Sequence, residues 1–186
     1  MIRYFVMECV GCAPIGTVDL VGRVRGLPWL SGSAVPPPAV PVPYRTDPQR
    51  PGNLKAMYEA SAPLMRADLV QAMLESGVDN IQFFDAVIED AVAGVRRYDY
   101  KAFNIIGIVA CADALTSEFM HQESISGLDR DFAALVIAEE RIPPDIRLFR
   151  LAEANSAIVV HHSVRDAIEA RRIEGMIFYE PGEWSG

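Results

Sequence analysis

The stretch YDYKAFNIIGIVACAD, residues 98–113, decides the fold that we expect for this chain. Tyr98 and Tyr100 alternate with polar residues, and from Phe103 onward the positions on both faces are apolar. A strand that enters from solvent and then crosses a sheet covered on both faces has this pattern, because a half-exposed strand keeps alternating. We therefore predict a central strand over Phe103–Cys111, with the two tyrosines at its exposed end.

The predicted central strand includes Ile106 and Ile108, and we expect both side chains to be buried. Before it, the spacing of apolar residues predicts a helix over Pro63–Ser76, which Ser61 would cap and Gly77 would end. The segment after this helix predicts a strand that pairs antiparallel with the central one. That segment is IQFFDAVI, residues 81–88.

A second helix is predicted over Ser163–Arg172. Ser163 with Asp166 three residues later resembles a capping box, and Val164 with Ile168 supplies the apolar face. A strand over Met176–Tyr179 follows. Shifting the chain by 95 positions superposes this helix and strand on the first pair, and we interpret the match as a shared structural unit.

Shorter extended segments complete the predicted elements. Their apolar and β-branched residues favour strands, and the turns between them are rich in glycine and proline. These segments are Ile2–Met7, Ala133–Ala138 (predicted to be buried), Arg147–Leu151 and Ala157–Val160. Around Val18–Val21 we expect loops with at most one short strand, and around Leu115–Met120 one short element in an otherwise irregular region.

A proline-rich segment separates the start of the chain from these elements. Eight prolines lie between Leu27 and Pro51, and they exclude helix and interior strand there. Residues 34–44 are expected to form an extended, polyproline-like arm on the surface, and Trp29 indicates that this arm covers something apolar. A role as ligand for a proline-binding module is the less favoured alternative.

The expected fold class is α+β: a mainly antiparallel sheet with two packed helices and a Pro-rich N-terminal arm. We place the first strand and the arm in residues 1–60 and the α+β unit in residues 61–186. A chain of 186 residues with 51% hydrophobic residues has enough material for one core of this kind.

Charge and composition limit the partners and the compartment. The net charge is −8, from 25 acidic and 17 basic residues, which disfavours nucleic acid and favours a cationic protein partner. No apolar run approaches the ~20 residues of a membrane span. The start of the chain does not resemble a signal peptide, and three cysteines indicate reduced thiols, so we expect a cytoplasmic protein.

Cys9 and Cys12 form a C-x-x-C pair, the spacing of many redox and zinc sites. The residues that follow do not predict the helix that a redox cysteine needs. The other potential zinc ligands are not paired, except for adjacent histidines whose side chains we expect to diverge. They are Cys111, His121, His161 and His162. We therefore expect ordinary cysteines, no metal and no cofactor.

An enzyme would have to use His161 or His162 with acidic residues of the segment Asp129–Glu140. That segment holds Asp129-Arg130-Asp131 and Glu139-Glu140. Such chemistry requires these groups to converge in one cavity with a shifted pKa. No nucleophile motif or phosphate-binding glycine loop accompanies them, so a small hydrolase is the least favoured function.

Four segments together resemble family eleven of the bacterial polymorphic-toxin immunity proteins. They are LVQAMLESGVDNIQFFDAVI (69–88), YDYKAFNIIGIVACADAL (98–115), LFRLAEANSAIVVHHSVRDAIEA (148–170) and GMIFYEP (175–181). The match covers roughly Leu64–Pro181. The resemblance implies a small cytoplasmic α+β protein that binds and neutralises a toxin encoded beside it, and it implies no catalytic residue.

We therefore predict a non-catalytic protein-binding module whose partner is a toxin domain. An intracellular adaptor or regulatory subunit is the alternative. Tyr98 and Tyr100, at the exposed end of the central strand, are the candidate partner-binding residues.

Overall fold

The computed structural model of this chain describes residues 3–22, 29–59, 63–120 and 131–186. Some predictions concern residues outside these ranges, namely the Ser61 cap, the candidate ligand His121, and Asp129 with Arg130.

The described residues form two α-helices and fourteen strands, numbered in chain order. None of the helices among them is long and apolar enough to cross a membrane. The elements are β1 (Tyr4–Cys9), β2 (Val18–Leu20), β3 (Val42–Thr46), β4 (Met57–Tyr58), β5 (Leu64–Arg66), α1 (Ala67–Glu75), β6 (Ile81–Glu89), β7 (Arg96–Arg97), β8 (Tyr100–Ile105), β9 (Ile108–Val109), β10 (Glu118–Phe119), β11 (Phe132–Ala134), β12 (Leu148–Leu151), β13 (Ile158–His161), α2 (His162–Ala170) and β14 (Met176–Tyr179).

The chain is α+β, with two helices and mixed sheets. One sheet has five strands in the order β14-β1-β13-β12-β9, and β10 with β11 forms a separate ribbon. The larger sheet has the order β2-β3-β6-β8-β5-β4, with β7 added beside β6. Each of the two large sheets contains one parallel pair, β9 with β12 and β3 with β6, and their other described pairs are antiparallel.

Six of the seven strands of the larger sheet, all except β7, curve into a nearly closed barrel. Its two ends meet through the segment that precedes β2, where Ile15 forms a bridge with Asn53. The Tyr58 hydroxyl, on β4, donates to the Gly16 carbonyl at 2.9 Å. The barrel therefore closes through a loop contact instead of a continuous ladder.

Residues 98–113 contain the central strand of the barrel sheet, β8. It lies between β6 and β5 and pairs antiparallel with both. Phe103 and Ile105 face the core that holds the helices, whereas Tyr100 and Ala102 face the barrel interior. The predicted pairing with residues 81–88 and the burial on both faces are confirmed as far as Ile105.

Beyond Ile105 the single-strand prediction is wrong. Gly107 has φ +123°, a conformation that favours glycine, and its N–H donates to the Gly32 carbonyl. The chain then enters the five-stranded sheet as β9, where Ile108 is 40% exposed and Ile106 is half-buried. A glycine within an apolar run allowed the chain to change sheets, so Phe103–Cys111 does not form one buried strand.

Helix α1 begins four residues after the predicted Pro63. Leu64 and Met65 belong instead to β5, because their backbones pair with β8. Arg66 precedes the helix in an extended conformation, without a side-chain cap. The predicted apolar face lies against the core, where its helical members are buried: Leu69, Ala72 and Met73.

Helix α2 begins at His162, and His161 caps it by accepting from the Ser163 N–H. The predicted capping box is therefore wrong, and Asp166 accepts from Arg165 instead. The residues after the two helices match at the 95-residue offset, since Gly77 and Arg172 both have positive φ, +79° and +52°.

The two helix-and-strand units share one arrangement. Helix α2 begins 95 residues after α1, and β14 begins 95 residues after β6. In each unit one antiparallel strand lies between the strand before the helix and the strand after it. This strand is β8, between β5 and β6, in the first unit and β1, between β13 and β14, in the second. Strands β1 and β8 occupy equivalent positions, with β8 lying 96 residues after β1. Phe103 pairs with Phe83 in the first unit, and Met7 pairs with Phe178 in the second. Both helices pack in the same core between the two sheets.

The proline-rich segment contributes an interior strand, which contradicts the prediction that excluded one. Strand β3 lies between β2 and β6 although it contains Pro43. A proline removes one N–H donor, and its carbonyl still accepts from the Val21 N–H at 2.9 Å. Earlier in the segment, Trp29 and Val35 are buried in the barrel core.

The predicted buried strand Ala133–Ala138 is also wrong. Strand β11 ends at Ala134, Ala133 is exposed, and Val136 is 38% exposed. Among the described strands β11 pairs with the two-residue β10, and the two form a small ribbon outside the large sheets.

Candidate functional site

The candidate site is a groove where the barrel meets the ends of β1 and β14. It consists of two adjoining cavities of about 240 Å³ each, which share Leu54 and Arg97 in their walls. One cavity has a mainly polar lining and the other a mainly apolar lining. We call them the polar cavity and the apolar cavity.

Two arginines of the polar cavity are held in the same way. Arg66 donates from Nε and Nη2 to Asp68 at 2.9 and 2.8 Å. Arg97 donates from the same two nitrogens to Asp99 at 3.2 and 2.7 Å. These hydrogen bonds hold the pKa of both aspartates below the ordinary value. Each fork orients a guanidinium and leaves its Nη1 uncommitted to the aspartate.

Lys55 lies in the wall of the polar cavity on a backbone fixed by two tyrosines. The Tyr100 hydroxyl donates to the Lys55 carbonyl at 3.0 Å, and the Tyr58 hydroxyl accepts from the Lys55 N–H at 3.0 Å. The ammonium lies 5.8 Å from the centre of the Tyr58 ring. Within the described residues no carboxylate forms an ion pair with Lys55.

The apolar cavity is bounded by the hairpin between β6 and β7. Asp90 begins the turn by accepting from the N–H groups of Val92 and Ala93, both at 2.9 Å, which lowers the pKa of its carboxyl. Val92 is 67% exposed and Val95 53% exposed. The turn therefore holds two apolar side chains in solvent beside the cavity.

The two candidate tyrosines have different environments. Tyr98 follows the hairpin and is 66% exposed, so its part in binding stays a prediction. Tyr100 is 1% exposed, and burial raises its pKa to about 12. The placement of Tyr100 at an exposed end is therefore wrong, because its ring fills the barrel and its hydroxyl supports Lys55.

The cysteines are not brought together with other metal ligands in the described part of the chain. Cys9 is buried on β1, whereas Cys12 is exposed at the polar cavity, where its thiol donates to Glu174 at 3.8 Å. Cys111 is buried, and burial raises its pKa to about 12. All three thiols are free.

The adjacent histidines do not diverge as expected, since the ring centres of His161 and His162 lie 4.1 Å apart. Burial, then the charges of His162 and Arg147, lower the pKa of His161. Its Nδ1 lies 2.9 Å from the Ser163 hydroxyl, a contact that belongs to the helix cap.

Among the acidic residues proposed to act with these histidines, Glu139 lies close enough to His161 for its charge to act weakly on the pKa of that imidazole. The Glu139 carboxylate accepts from both the backbone N–H and Nε of Arg3, at 3.0 and 2.6 Å. Asp131 and Glu140 are on the surface, and Glu140 stands in a short 3₁₀ turn. The carboxylate of Glu139 is therefore already engaged in a structural ion pair with Arg3.

A second polar cluster is formed by Arg150 and Glu59, and neither residue lines the groove. Arg150 is fully buried, and its Nη1 donates to the Asn155 carbonyl at 2.9 Å. Burial raises the pKa of Glu59 to about 7, although the charge of Arg150 acts in the opposite direction. Within the described residues, Oε1 of Glu59 and Nε and Nη2 of Arg150 have no hydrogen-bond partner.

No protein-family model and no curated protein matches this chain. The resemblance to the immunity family therefore stays a prediction.

Sequence reasoning did not identify the cationic residues of the groove. Lys55, Arg66 and Arg97 are far apart in the chain and carry no recognised motif. One local signal was present, because Arg66 and Arg97 each precede an aspartate by two residues. In both pairs the arginine ends a strand and the aspartate follows just beyond that strand, close enough for the two side chains to form a fork.

Proposed function

We propose that this protein is a non-catalytic protein-binding module that binds and neutralises a toxin domain encoded beside it, in the cytoplasm. The observation that carries the proposal is the hairpin at residues 89–97 with the tyrosine that follows it. Three large apolar or aromatic side chains are more than half exposed within seven residues: Val92, Val95 and Tyr98.

This hairpin has the properties of a contact surface. Its turn is fixed by the Asp90 carboxylate, so little conformational entropy remains to be lost on binding. Tyrosines contribute more than most residues to interface energies, and clustered exposed apolar residues mark sites of association. The resemblance over Leu64–Pro181 supplies the kind of partner, and the chain's net charge of −8 favours a cationic one.

The test is co-expression with the product of the adjacent open reading frame. We expect a complex on size-exclusion chromatography and protection of cells from that product. The double variant Val92→Ser/Tyr98→Ala should lose both. A matched control is Leu115→Ser, because Leu115 is 95% exposed on another part of the surface.

Two outcomes would contradict the proposal. The first is the absence of both a complex and protection with the neighbouring product. The second is purification from the host that recovers a partner other than a toxin, which would favour an adaptor or regulatory subunit instead.

A further inference from the structure

The polar cavity has more cationic than anionic side chains in its lining, although Asp68 and Asp99 pair with two of the cations. Three cationic side chains and one anionic side chain line it, namely Lys55, Arg66, Arg97 and Glu174. The chain as a whole has a net charge of −8. Because Asp68 and Asp99 offset the charges of Arg66 and Arg97, Lys55 is the cation of this cavity that forms no ion pair within the described residues.

The two guanidiniums repel each other. The hydrogen bond to Asp99 raises the pKa of Arg97, while the charge of Arg66 acts in the opposite direction. The aspartates bind the Nε edge of each arginine and thereby hold the two cations near one another. An anion in the cavity would relieve this repulsion and would accept hydrogen bonds from the remaining Nη1 groups.

We propose that the groove binds a segment of a protein partner in which a carboxylate stands next to an apolar side chain. The carboxylate would lie between Arg66, Arg97 and Lys55, and the apolar side chain would occupy the apolar cavity beside Leu54 and Val92. This inference rests on the proposed function, because it names the surface and the chemistry by which the partner is recognised.

The adjoining cavity distinguishes a peptide carboxylate from a free phosphate. Phosphate would use the cations alone and would leave the apolar cavity, of about 240 Å³, without a role. Leu54 and Arg97 line both cavities, so a bound segment can reach the two at once. A carboxylate is planar and matches the fork of a guanidinium.

The acidic net charge and a carboxylate-binding groove act at different distances. Net charge steers an approaching partner at separations up to roughly the Debye length, about 8 Å at physiological salt. Contacts within the groove depend on the residues that line it. A partner with a basic surface and one exposed acidic side chain would satisfy both.

N-acetyl-leucine is a suitable probe, because it has one carboxylate and one apolar side chain. We expect saturable changes in the amide NMR signals of residues 53–56 and 97, in the millimolar range expected for so small a ligand. N-acetyl-leucinamide, which lacks the carboxylate, and acetate, which lacks the apolar group, should each bind about tenfold more weakly or worse.

Variants locate the binding. Arg97→Gln should weaken the binding of N-acetyl-leucine by about tenfold or more, and Lys55→Gln should also weaken it. Arg45→Gln is the matched control, because Arg45 pairs with Glu89 on the same sheet but lines neither cavity. Thermal melts of all three variants should confirm that they are folded.

Equal binding of the leucinamide, or unchanged binding by both Arg97→Gln and Lys55→Gln, would overturn the inference. Tighter binding of inorganic phosphate than of N-acetyl-leucine, at the same residues, would also overturn it and would indicate a phosphate site. These results do not depend on the neighbouring gene product. If that product forms a complex while the probe fails, the proposed function stands and its contact surface lies elsewhere.

Discussion

Replacing Phe103 with alanine tests whether β8 is the centre of the molecule. Phe103 is fully buried between the barrel sheet and the core that holds both helices. Removing a buried phenylalanine side chain costs about 3–5 kcal/mol of unfolding free energy. Ile108, five residues later, is the matched control, because it is 40% exposed and its loss should cost about 1 kcal/mol.

Urea unfolding and thermal unfolding, both monitored by tryptophan fluorescence, measure the changes in unfolding free energy and in Tm. Trp29 lies in the barrel core and Trp184 in the core beyond the five-stranded sheet, so each sheet has its own reporter. For a chain of this size, Phe103→Ala should lower the Tm by roughly 6–20 °C and Ile108→Ala by roughly 2–4 °C. Equal losses for the two variants would refute the placement of the sheet change at Gly107.

Substitutions at three other places test strain, ionisation and binding. Gly77 and Arg172 both have positive φ, which glycine adopts more readily than other residues. Gly77→Ala should therefore destabilise the protein by about 1–2 kcal/mol, whereas Arg172→Gly should not destabilise it. Equal urea midpoints for the two variants would contradict this. Because the folded-state pKa of Glu59 is raised to about 7, the native protein binds more protons, and stability should fall as pH rises from about 4.5 to 7. Glu59→Gln should remove that dependence from Tm measurements, and an unchanged slope would contradict it. Tyr98→Ala should weaken partner binding, measured by calorimetry, with less than about 0.5 kcal/mol change in stability. Tyr100→Phe should cost about 1 kcal/mol of stability in urea unfolding, because the hydrogen bond of its hydroxyl is lost. The opposite pattern, with weaker binding from Tyr100→Phe and lower stability from Tyr98→Ala, would contradict both assignments.

Local patterns predicted the helix-and-strand units because each depends on neighbouring residues. The strand over Met176–Tyr179 was predicted with its observed bounds, and the apolar faces of both helices are buried. The break at Gly107 had a visible signal, since a glycine within an apolar run often marks a bend. The apolar residues on both sides of Gly107 favour strand, and they therefore predicted one continuous strand through the glycine.

The remaining features depend on distant contacts that no local pattern encodes. Strand β3 tolerates Pro43 because its neighbours are supplied by residues 18–20 and 86–89. The groove likewise draws its walls from both ends of the chain, with Cys12 near one end and Glu174 near the other. One chemical clue survived at the sequence level, the repeated Arg-x-Asp spacing, but only the fold shows that the two arginines converge.

The position of β1 has a consequence for biosynthesis. Its partners β13 and β14 are made roughly 150 residues after it. At a translation rate of about 5–20 residues per second, roughly 10–30 seconds pass before they emerge. During that time the apolar segment YFVMEC has no sheet partner of its own, while the barrel sheet can already assemble. The nascent chain therefore carries an unpaired strand at residues 4–9 until residues 158–179 have been made.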